Sequence, residues 1–401
     1  MIPVMNISRQ YDSIKEELDK AALEVLHSGQ YILGETVENF EKAFAEYCGT
    51  KYAIGVGNGT DALVIALKAC GIKPGDEVIT CAMSFFSTAE SIVAVGATPV
   101  FVDCTKDTYL LDVTKVEEKI TKKTKAIIPI HLYGQCVDMD VINEIAKRHK
   151  LKVIEDTAQG TGTLYKGRKA GSIGDVGCIS FFPTKNLGAA GDGGMIITDQ
   201  EDVYKQCLAL RVHGSGLNGL FTYEQQNGIK VSEDVVDFKG NLPKYYNFVI
   251  GWNSRLDALQ AAILNAKLPY LDKWNSRRRE IARQYDERIS NSELIKPYIA
   301  EYNLPIYYVY VMTTEKRDAL RKYLERKKIM TGVYFPVPLH LQKAFEQLGY
   351  KKGDMPNAEY IAEHSLVIPM FPELTQEEID QVVEAVNGWN SDVSQKGGMN
   401  A

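Results

Sequence analysis

Four stretches of this 401-residue chain carry residue types that do chemistry when brought together. The first is Ser180-Phe181-Phe182-Pro183-Thr184-Lys185-Asn186-Leu187-Gly188, followed by Ala189-Ala190-Gly191-Asp192-Gly193-Gly194. A lysine between an apolar strand and a run of Gly and Ala is a poor choice for solubility alone. Partly buried surroundings lower a lysine's pKa and make it a nucleophile for Schiff-base chemistry. The second stretch, Lys152-Val153-Ile154-Glu155-Asp156-Thr157-Ala158-Gln159, delivers Asp156 at the carboxyl end of an apolar strand. A carboxylate there can keep a pyridinium nitrogen protonated by charge pairing, or it can cap the next loop. The third, Gly55-Val56-Gly57-Asn58-Gly59-Thr60-Asp61-Ala62-Leu63, runs from a strand through a Gly-rich turn into a helix. Free N–H groups at a helix start favour a phosphate, and Thr60 adds a hydroxyl. No Gly-Lys-Ser/Thr follows, so this is not a Walker loop. Asp61 is awkward beside a phosphate dianion, and its carboxylate is expected to turn away, onto N–H groups of its own helix. In the fourth, Ala82-Met83-Ser84-Phe85-Phe86-Ser87-Thr88, a Phe could lie flat on a cofactor ring or simply pack in the core. Taken singly, each stretch has an ordinary structural explanation. The lysine's reading as a catalytic group comes from its company, a strand-end acid and a phosphate turn upstream.

These residues need a frame that gathers strand ends. From Tyr52 onward short apolar strands alternate with amphipathic helices. Strands are expected at Tyr52–Val56, Glu77–Cys81, Pro99–Val102, Ala126–Ile130, Lys152–Glu155, Cys178–Phe182 and Met195–Thr198. Helices are expected at Ala62–Ala69, Ser87–Val95, Val113–Ile120 and Val141–Arg148, with Lys115–Lys125 as a solvated face. Such alternation builds an α/β fold with a mainly parallel sheet of these seven strands, covered by helices on both faces. An N-terminal helical segment (1–30) precedes this large domain (31–255), with Ile14, Leu18, Ala21, Val25 and Leu26 at helix spacing. Ser215–Pro243, rich in Gly, Asn and acidic residues, is expected to be a loop, an insertion or a flap. A long helical run then starts at Leu256 and continues through Lys273–Arg283. It opens a smaller α+β C-terminal domain (256–390), and a polar tail (391–401) ends the chain.

Composition narrows the function classes. A net charge of −6 argues against a general nucleic-acid or anionic-membrane surface. No stretch approaches the roughly 20 apolar residues of a membrane span. Met1-Ile2-Pro3-Val4 lacks the basic segment and apolar run of a secretory signal, so a cytoplasmic protein is expected. The seven cysteines form no Cys-x-x-Cys pair, which indicates buried free thiols and no metal site.

The order GNGTDAL, SFFST, EDTAQ and SFFPTKN-LGAAGDGG resembles the DegT/DnrJ family of nucleotide-sugar aminotransferases. The likeness runs from SGQYILG at Ser28–Gly34 to the PVPLHLQ and IPMFPELT segments. It implies the aspartate-aminotransferase-like fold (fold type I), pyridoxal 5'-phosphate as cofactor and a homodimer with active sites at the subunit interface. By the same resemblance Lys185 is the Schiff-base lysine and Asp156 the partner of the pyridine nitrogen. Gln159 sits near the cofactor's ring oxygen, and Phe85 stacks on the ring. Gly59, Thr60 and Ser180 hold the phosphate, with Asn253 of Gly251-Trp252-Asn253-Ser254 reaching it from the neighbouring subunit. Tyr334 and His340 belong to a segment that in relatives lies near the sugar. The implied reaction moves an amino group from L-glutamate to a dTDP- or UDP-linked keto-sugar. GNGTDAL and SGQYILG resemble members acting on 3-keto sugars more than those acting on 4-keto sugars.

Three departures from the family pattern fall where relatives approach the substrate. Gly160-Thr161-Gly162 stands where many relatives have a histidine, the KYYH segment reads Lys244-Tyr245-Tyr246-Asn247, and the usual YHxY reads Tyr307-Tyr308-Val309-Tyr310. A keto-cyclitol, a 4-keto sugar nucleotide or a non-nucleotide keto-sugar therefore remain alternative acceptors. The sugar 3-dehydratase branch replaces the lysine with histidine, which Lys185 argues against. A non-catalytic cofactor-binding regulator is the reading from another class; retention of Lys185 and Asp156 weighs against it.

Overall fold

Runs of five residues rich in Val and Ile make the central layer. The structure, a computed structural model, describes residues 1–230 and 245–390. The strands of that layer are β1 (Tyr52–Val56), β2 (Glu77–Cys81), β3 (Thr98–Val102), β4 (Thr124–Ile128) and β5 (Lys152–Asp156). After two short strands, β6 (Leu164–Tyr165) and β7 (Arg168–Lys169), come β8 (Val176–Ser180) and β9 (Gly194–Thr198). The seven-stranded sheet has the order β1-β9-β8-β5-β4-β2-β3, and only β9 runs against its neighbours. The mainly parallel sheet expected from the strand–helix alternation is therefore present.

Side chains alternate across this sheet, as the period of two requires. Ile54, Val56, Val78, Ile128, Ile154, Cys178 and Ile196 share one core with Leu63 and Leu67 of the helix Gly59–Ala69. On the opposite face, Ile179, Met195 and Ile197 pack with Phe40 and Phe44 of the helix Glu35–Cys48 and Leu264 of the helix Ala258–Lys267. Further along that face, Ile79, Phe101, Ile127 and Val153 meet Ile142 and Ile145 of the helix Met139–His149. Burial on both faces explains why these strands read as near-continuous apolar runs.

The C-terminal part adds β10 (Asn303–Leu304), which pairs with β6, and an antiparallel pair, β11 (Tyr310–Thr313) and β12 (Ser365–Ile368). Its own core joins Tyr310, Met312, Leu366 and Ile368 to Ile281 and Tyr285 of the helix Leu271–Arg288 and to Val382 and Val386 of the helix Gln376–Asn387. Ile2, from the other end of the chain, is buried in this same core.

Two expectations are corrected. Val113–Ile120 is two 3-10 turns, Val113–Lys115 and Glu117–Lys119, in place of a solvated helix. Asp112 accepts from the Thr114 N–H, and β-branched Val113, Thr114 and Val116 add little helix propensity. Within Ser215–Pro243, Gly216–Asn227 is a helix, while 231–244 lie outside the described residues, as does the tail 391–401. Its glycines read as breakers, but a Cβ at Gly219 would lie 2.2 Å from the Gly214 carbonyl oxygen, so close packing requires one of them.

The end of β5 is fixed by a buried carboxylate. Glu155 Oε1 accepts from the N–H groups of Ile173 (2.7 Å) and Gly174 (2.6 Å), and Oε2 from Gly171 (2.8 Å) and His131 Nε2 (2.7 Å). Burial alone would raise this carboxyl; the His131 hydrogen bond and charge and the Gly174 and Gly171 N–H groups outweigh it and hold it below the usual range. A folded-state pKa depressed in this way stabilises the fold above the unfolded value. The contribution is complete at neutral pH and is lost as pH falls below about 4. Glu155→Gln should cost roughly 3 kcal/mol in urea unfolding at pH 7, and the cost should shrink when the titration is repeated under acid conditions.

Candidate active site

Parallel strands put their carboxyl ends on one edge, and each of the four chemistry-bearing stretches leaves the sheet there. β1 leads into a turn in which Asn58 caps the helix Gly59–Ala69, its Oδ1 accepting from the Asp61 N–H at 2.8 Å. The first N–H groups of a helix have no partner within it, so those of Gly59 and Thr60 are free to bind an anion. A Cβ built on Gly59 would lie 2.7 Å from Ser180 Cβ, which places the turn directly against the end of β8. Gly59, Thr60 and Ser180 therefore form one small cradle. Asp61 does turn away from it, though not onto its own helix, where the Asn58 side chain accepts from the Asp61 N–H. Asp61 Oδ2 instead accepts from Ser254 Oγ at 2.6 Å, and the same hydroxyl accepts from the Gly57 N–H at 2.9 Å. Asn253, next to Ser254, is exposed on this chain.

Asp156 closes β5 and is 5% exposed. Thr88 Oγ1 donates to its Oδ2 at 2.7 Å, and the Ala158 N–H to its Oδ1 at 3.1 Å. Ser84 Oγ lies 2.8 Å from Thr88 Oγ1. Since Thr88 gives its proton to Asp156, Ser84 is the donor in that contact. Gln159 is also buried, its Oε1 accepting from the Tyr133 N–H at 2.9 Å.

Lys185 stands on a tight turn beyond β8, with its N–H bonded to the Phe182 carbonyl at 2.8 Å. A Cβ at Gly188 would lie 2.2 Å from the Pro183 carbonyl oxygen, so only glycine lets the chain close behind the lysine. Asn186 anchors the turn through Asn275 Oδ1 (2.7 Å), and buried Lys267 donates to the Gly188 carbonyl at 2.7 Å. The Lys185 ammonium lies 4.7 Å from the centre of the Tyr308 ring. The residue keeps some contact with solvent, as the floor of a cleft does, yet protein surrounds it on most sides. Desolvation lowers its pKa to about 8, against the opposing attraction of Asp156. The arrangement offers an amine that releases and takes up a proton near neutral pH, a strand-end carboxylate and an anion cradle.

At the mouth, Phe85 is 56% exposed, its ring centre 5.8 Å from that of Phe335. Tyr334 is half-buried beside it, and its carbonyl accepts a short hydrogen bond from the Tyr133 hydroxyl. His340 belongs to the same C-terminal segment. It is 2% exposed with Nε2 on Glu359 Oε1 at 3.0 Å, and the Leu339 N–H beside it is bonded to Ala82. His340 Nδ1 is buried without a hydrogen-bond partner among the described residues. Sequence reasoning missed Thr88, Tyr133, Asn275 and Tyr308. Thr88 had a faint signal, four residues after Ser84 in a helix start, and Tyr308 stood in the departure from the YHxY pattern; Tyr133 and Asn275 come from remote segments and had none.

The family of the chain follows from its whole length. The model of the DegT/DnrJ/EryC1/StrS aminotransferase family matches residues 12–387. The chain belongs to that family. It is 45% identical over 388 residues to a "pleiotropic regulatory protein" of Geobacillus stearothermophilus, covering 96% of this chain and 97% of the relative. It is 42% identical to dTDP-3-amino-3,6-dideoxy-alpha-D-galactopyranose transaminase of Aneurinibacillus thermoaerophilus, covering 96% and 99%. The crystal structure of S. venezuelae DesV in complex with ketimine intermediate superposes with a TM-score of 0.89 at 37% identity, covering 97% of this chain and 98% of DesV. Among the described residues no group of His, Cys, Asp and Glu could hold a metal ion, and no helix is long and apolar enough to cross a membrane.

The depressed lysine gives a direct check. In cofactor-free protein, labelling of Lys185 by an amine-reactive ester, followed by peptide mass spectrometry, should rise through about pH 8, well below the range of exposed lysines. Asp156→Asn removes the attraction that favours the ammonium, so it should move that midpoint lower still.

Proposed function

We propose that the protein is a pyridoxal 5'-phosphate-dependent aminotransferase that moves an amino group from L-glutamate to a dTDP- or UDP-linked 3-keto hexose. The observation that carries this reading is the depressed amine of Lys185 on the same sheet edge as Asp156 and the Gly59–Ser180 cradle. The donor set fits the cofactor. The N–H groups of Gly59 and Thr60 with the Ser180 hydroxyl suit its phosphate, and Asp156, aimed by Thr88 and Ala158, suits its ring nitrogen. Gln159 suits the ring oxygen and Phe85 the ring face. When bound, pyridoxal 5'-phosphate supplies the electron sink for the pair released at the donor's α-carbon.

The chain's own residues then have separate tasks. Lys185 Nζ takes the proton from the donor's α-carbon and returns it on the cofactor's side; an amine titrating near 8 can do both at neutral pH. Asp156 Oδ holds the ring nitrogen's proton by charge, and its two hydrogen-bonded neighbours keep it from rotating away. With water supplying the keto oxygen, L-glutamate would leave as 2-oxoglutarate and its nitrogen would stay with the cofactor, and the reverse sequence would deliver that nitrogen to the keto carbon of the sugar and release water. The 3-keto preference rests on the GNGTDAL and SGQYILG motifs and agrees with the activity that names the Aneurinibacillus relative. A regulator without chemistry would gain nothing from holding a lysine amine desolvated beside a carboxylate.

A homodimer with shared sites is part of the same reading. Asn253 is exposed and unspent on this chain, beside the Ser254 that props the cradle turn. Exposed Tyr31, Ile32 and Leu26 supply apolar area for a partner.

Loaded with the cofactor, the protein should lose its visible absorbance on adding L-glutamate and regain it with a 3-keto but not a 4-keto sugar nucleotide. Recovery with the 4-keto sugar alone would reverse the regiochemistry, and no response to any amino donor would sink the transaminase reading. Lys185→Ala should lower turnover by at least about 10⁴-fold, the scale of losing a positioned acid–base group, while the protein remains folded. Mixed dimers of Lys185→Ala and Asn253→Ala chains should regain activity, because one of their two sites carries neither change; if each site belongs to a single chain, mixing restores nothing.

A further inference from the structure

Tyr308 stands where the family pattern has histidine, and its ring lies against the catalytic amine with no role yet given to it. The residue is 8% exposed and fixed on every side. Its N–H donates to the Tyr133 carbonyl at 3.0 Å, and its own carbonyl accepts from Arg278 Nη1 at 3.2 Å. The hydroxyl lies 3.3 Å from Thr184 Oγ1, on the residue that precedes Lys185. With both ends held, the ring presents its face to the Lys185 ammonium, 4.7 Å from the ring centre. A cation over an aromatic face within about 6 Å is attracted by the ring quadrupole, more strongly where water is excluded.

We propose that Tyr308 is a positioning residue for Lys185, its ring serving as the seat of the lysine's ammonium whenever that amine is not bonded to cofactor. For its part in turnover this rests on the reading of Lys185 as the cofactor-bearing lysine. The seat answers a need of the reaction. A lysine that has just accepted a proton must stay charged and near the reacting carbon, in surroundings where desolvation drives it toward the neutral amine. Asp156 attracts the ammonium from the sheet side. Arg278 and Glu373 line a small cavity with Lys185 from the C-terminal side, and neither bonds its amine. The Tyr308 face stabilises the cation without accepting its proton, which an imidazole at this place could do. Thr184 keys the ring's tilt from within the lysine's own turn.

The test weakens the ring face while keeping its shape. Phenylalanine, 3,5-difluorophenylalanine and 3,4,5-trifluorophenylalanine are placed at position 308 by nonsense suppression. The pH midpoint of Lys185 is then read in cofactor-free protein by pH-dependent labelling. The Tyr308→Phe protein should titrate close to the parent, since the face is retained. Each added fluorine should lower the midpoint, with the trifluoro form carrying about three-fold more free amine at pH 7 than the Phe form. Tyr308→Leu should shift it in the same direction. A merely structural ring would leave the midpoint unchanged across the fluorinated series, and that result overturns the seat. Borohydride fixation of added pyridoxal 5'-phosphate, mapped by peptide mass spectrometry, separates the two readings: no label on Lys185 overturns the proposed function, whereas label with an unmoved midpoint overturns the seat alone.

Discussion

The Glu155 carboxylate is the constraint on which the site's geometry depends. It is fully buried, and it keeps its charge only because four donors converge on it from His131, Gly171, Ile173 and Gly174. Those donors come from two separate segments, the loop after β4 and the turn before β8, so one side chain locks three strand ends together. Asp156, the next residue, inherits that rigidity: its N–H is bonded to Pro129 and its carbonyl accepts from His131. A buried ion pair of this kind adds little net stability over an apolar replacement. What it contributes is a single register, which fixes where Asp156 ends and where β8 begins its approach to Lys185.

A second group of contacts brings the C-terminal part to the cleft. Asn275 holds Asn186 and, through its amide, the Thr161 carbonyl; Arg278 gathers the carbonyls of Tyr307, Tyr308 and Met370. Tyr133 is the hinge between the layers. It adopts a left-handed backbone (φ 57°), a conformation costing about 1 kcal/mol for a non-glycine residue, and it bonds Gln159, Tyr308 and the Tyr334 carbonyl at once. Strain of that size is held because the surrounding bonds leave no other arrangement. The wall carrying Tyr308, Tyr334 and Phe335 is thereby set against the sheet edge carrying Asp156, Gln159 and Lys185.

Much of this was legible from local pattern. The seven strands of the sheet were found within two residues, because each is a short apolar run ended by turn chemistry. The cradle was legible from Gly59 and Thr60 at a helix start. The misjudged places are those where packing outvotes local preference. The helix Gly216–Asn227 accommodates its glycines because the Gly214 carbonyl just before it packs within touching distance of Gly219, and Val113–Ile120 forms two 3-10 turns, the first capped by Asp112 at the Thr114 N–H. The contact of His340 Nε2 with Glu359 is likewise a product of packing that no local pattern announces.

The sequence by itself determined the α/β alternation, the strand-end acid, the cradle turn and the lysine, since each strand, turn and motif is encoded within about ten consecutive residues. Tertiary structure decided what surrounds them. Thr88 aims Asp156 from 68 positions away, Tyr308 lies beneath Lys185 from 123 residues further along, and Asn275 anchors Asn186 from 89 away. Desolvation and ring contact arise only when such segments meet, so the depressed pKa of Lys185 belongs to the fold and is written in no single stretch of the chain.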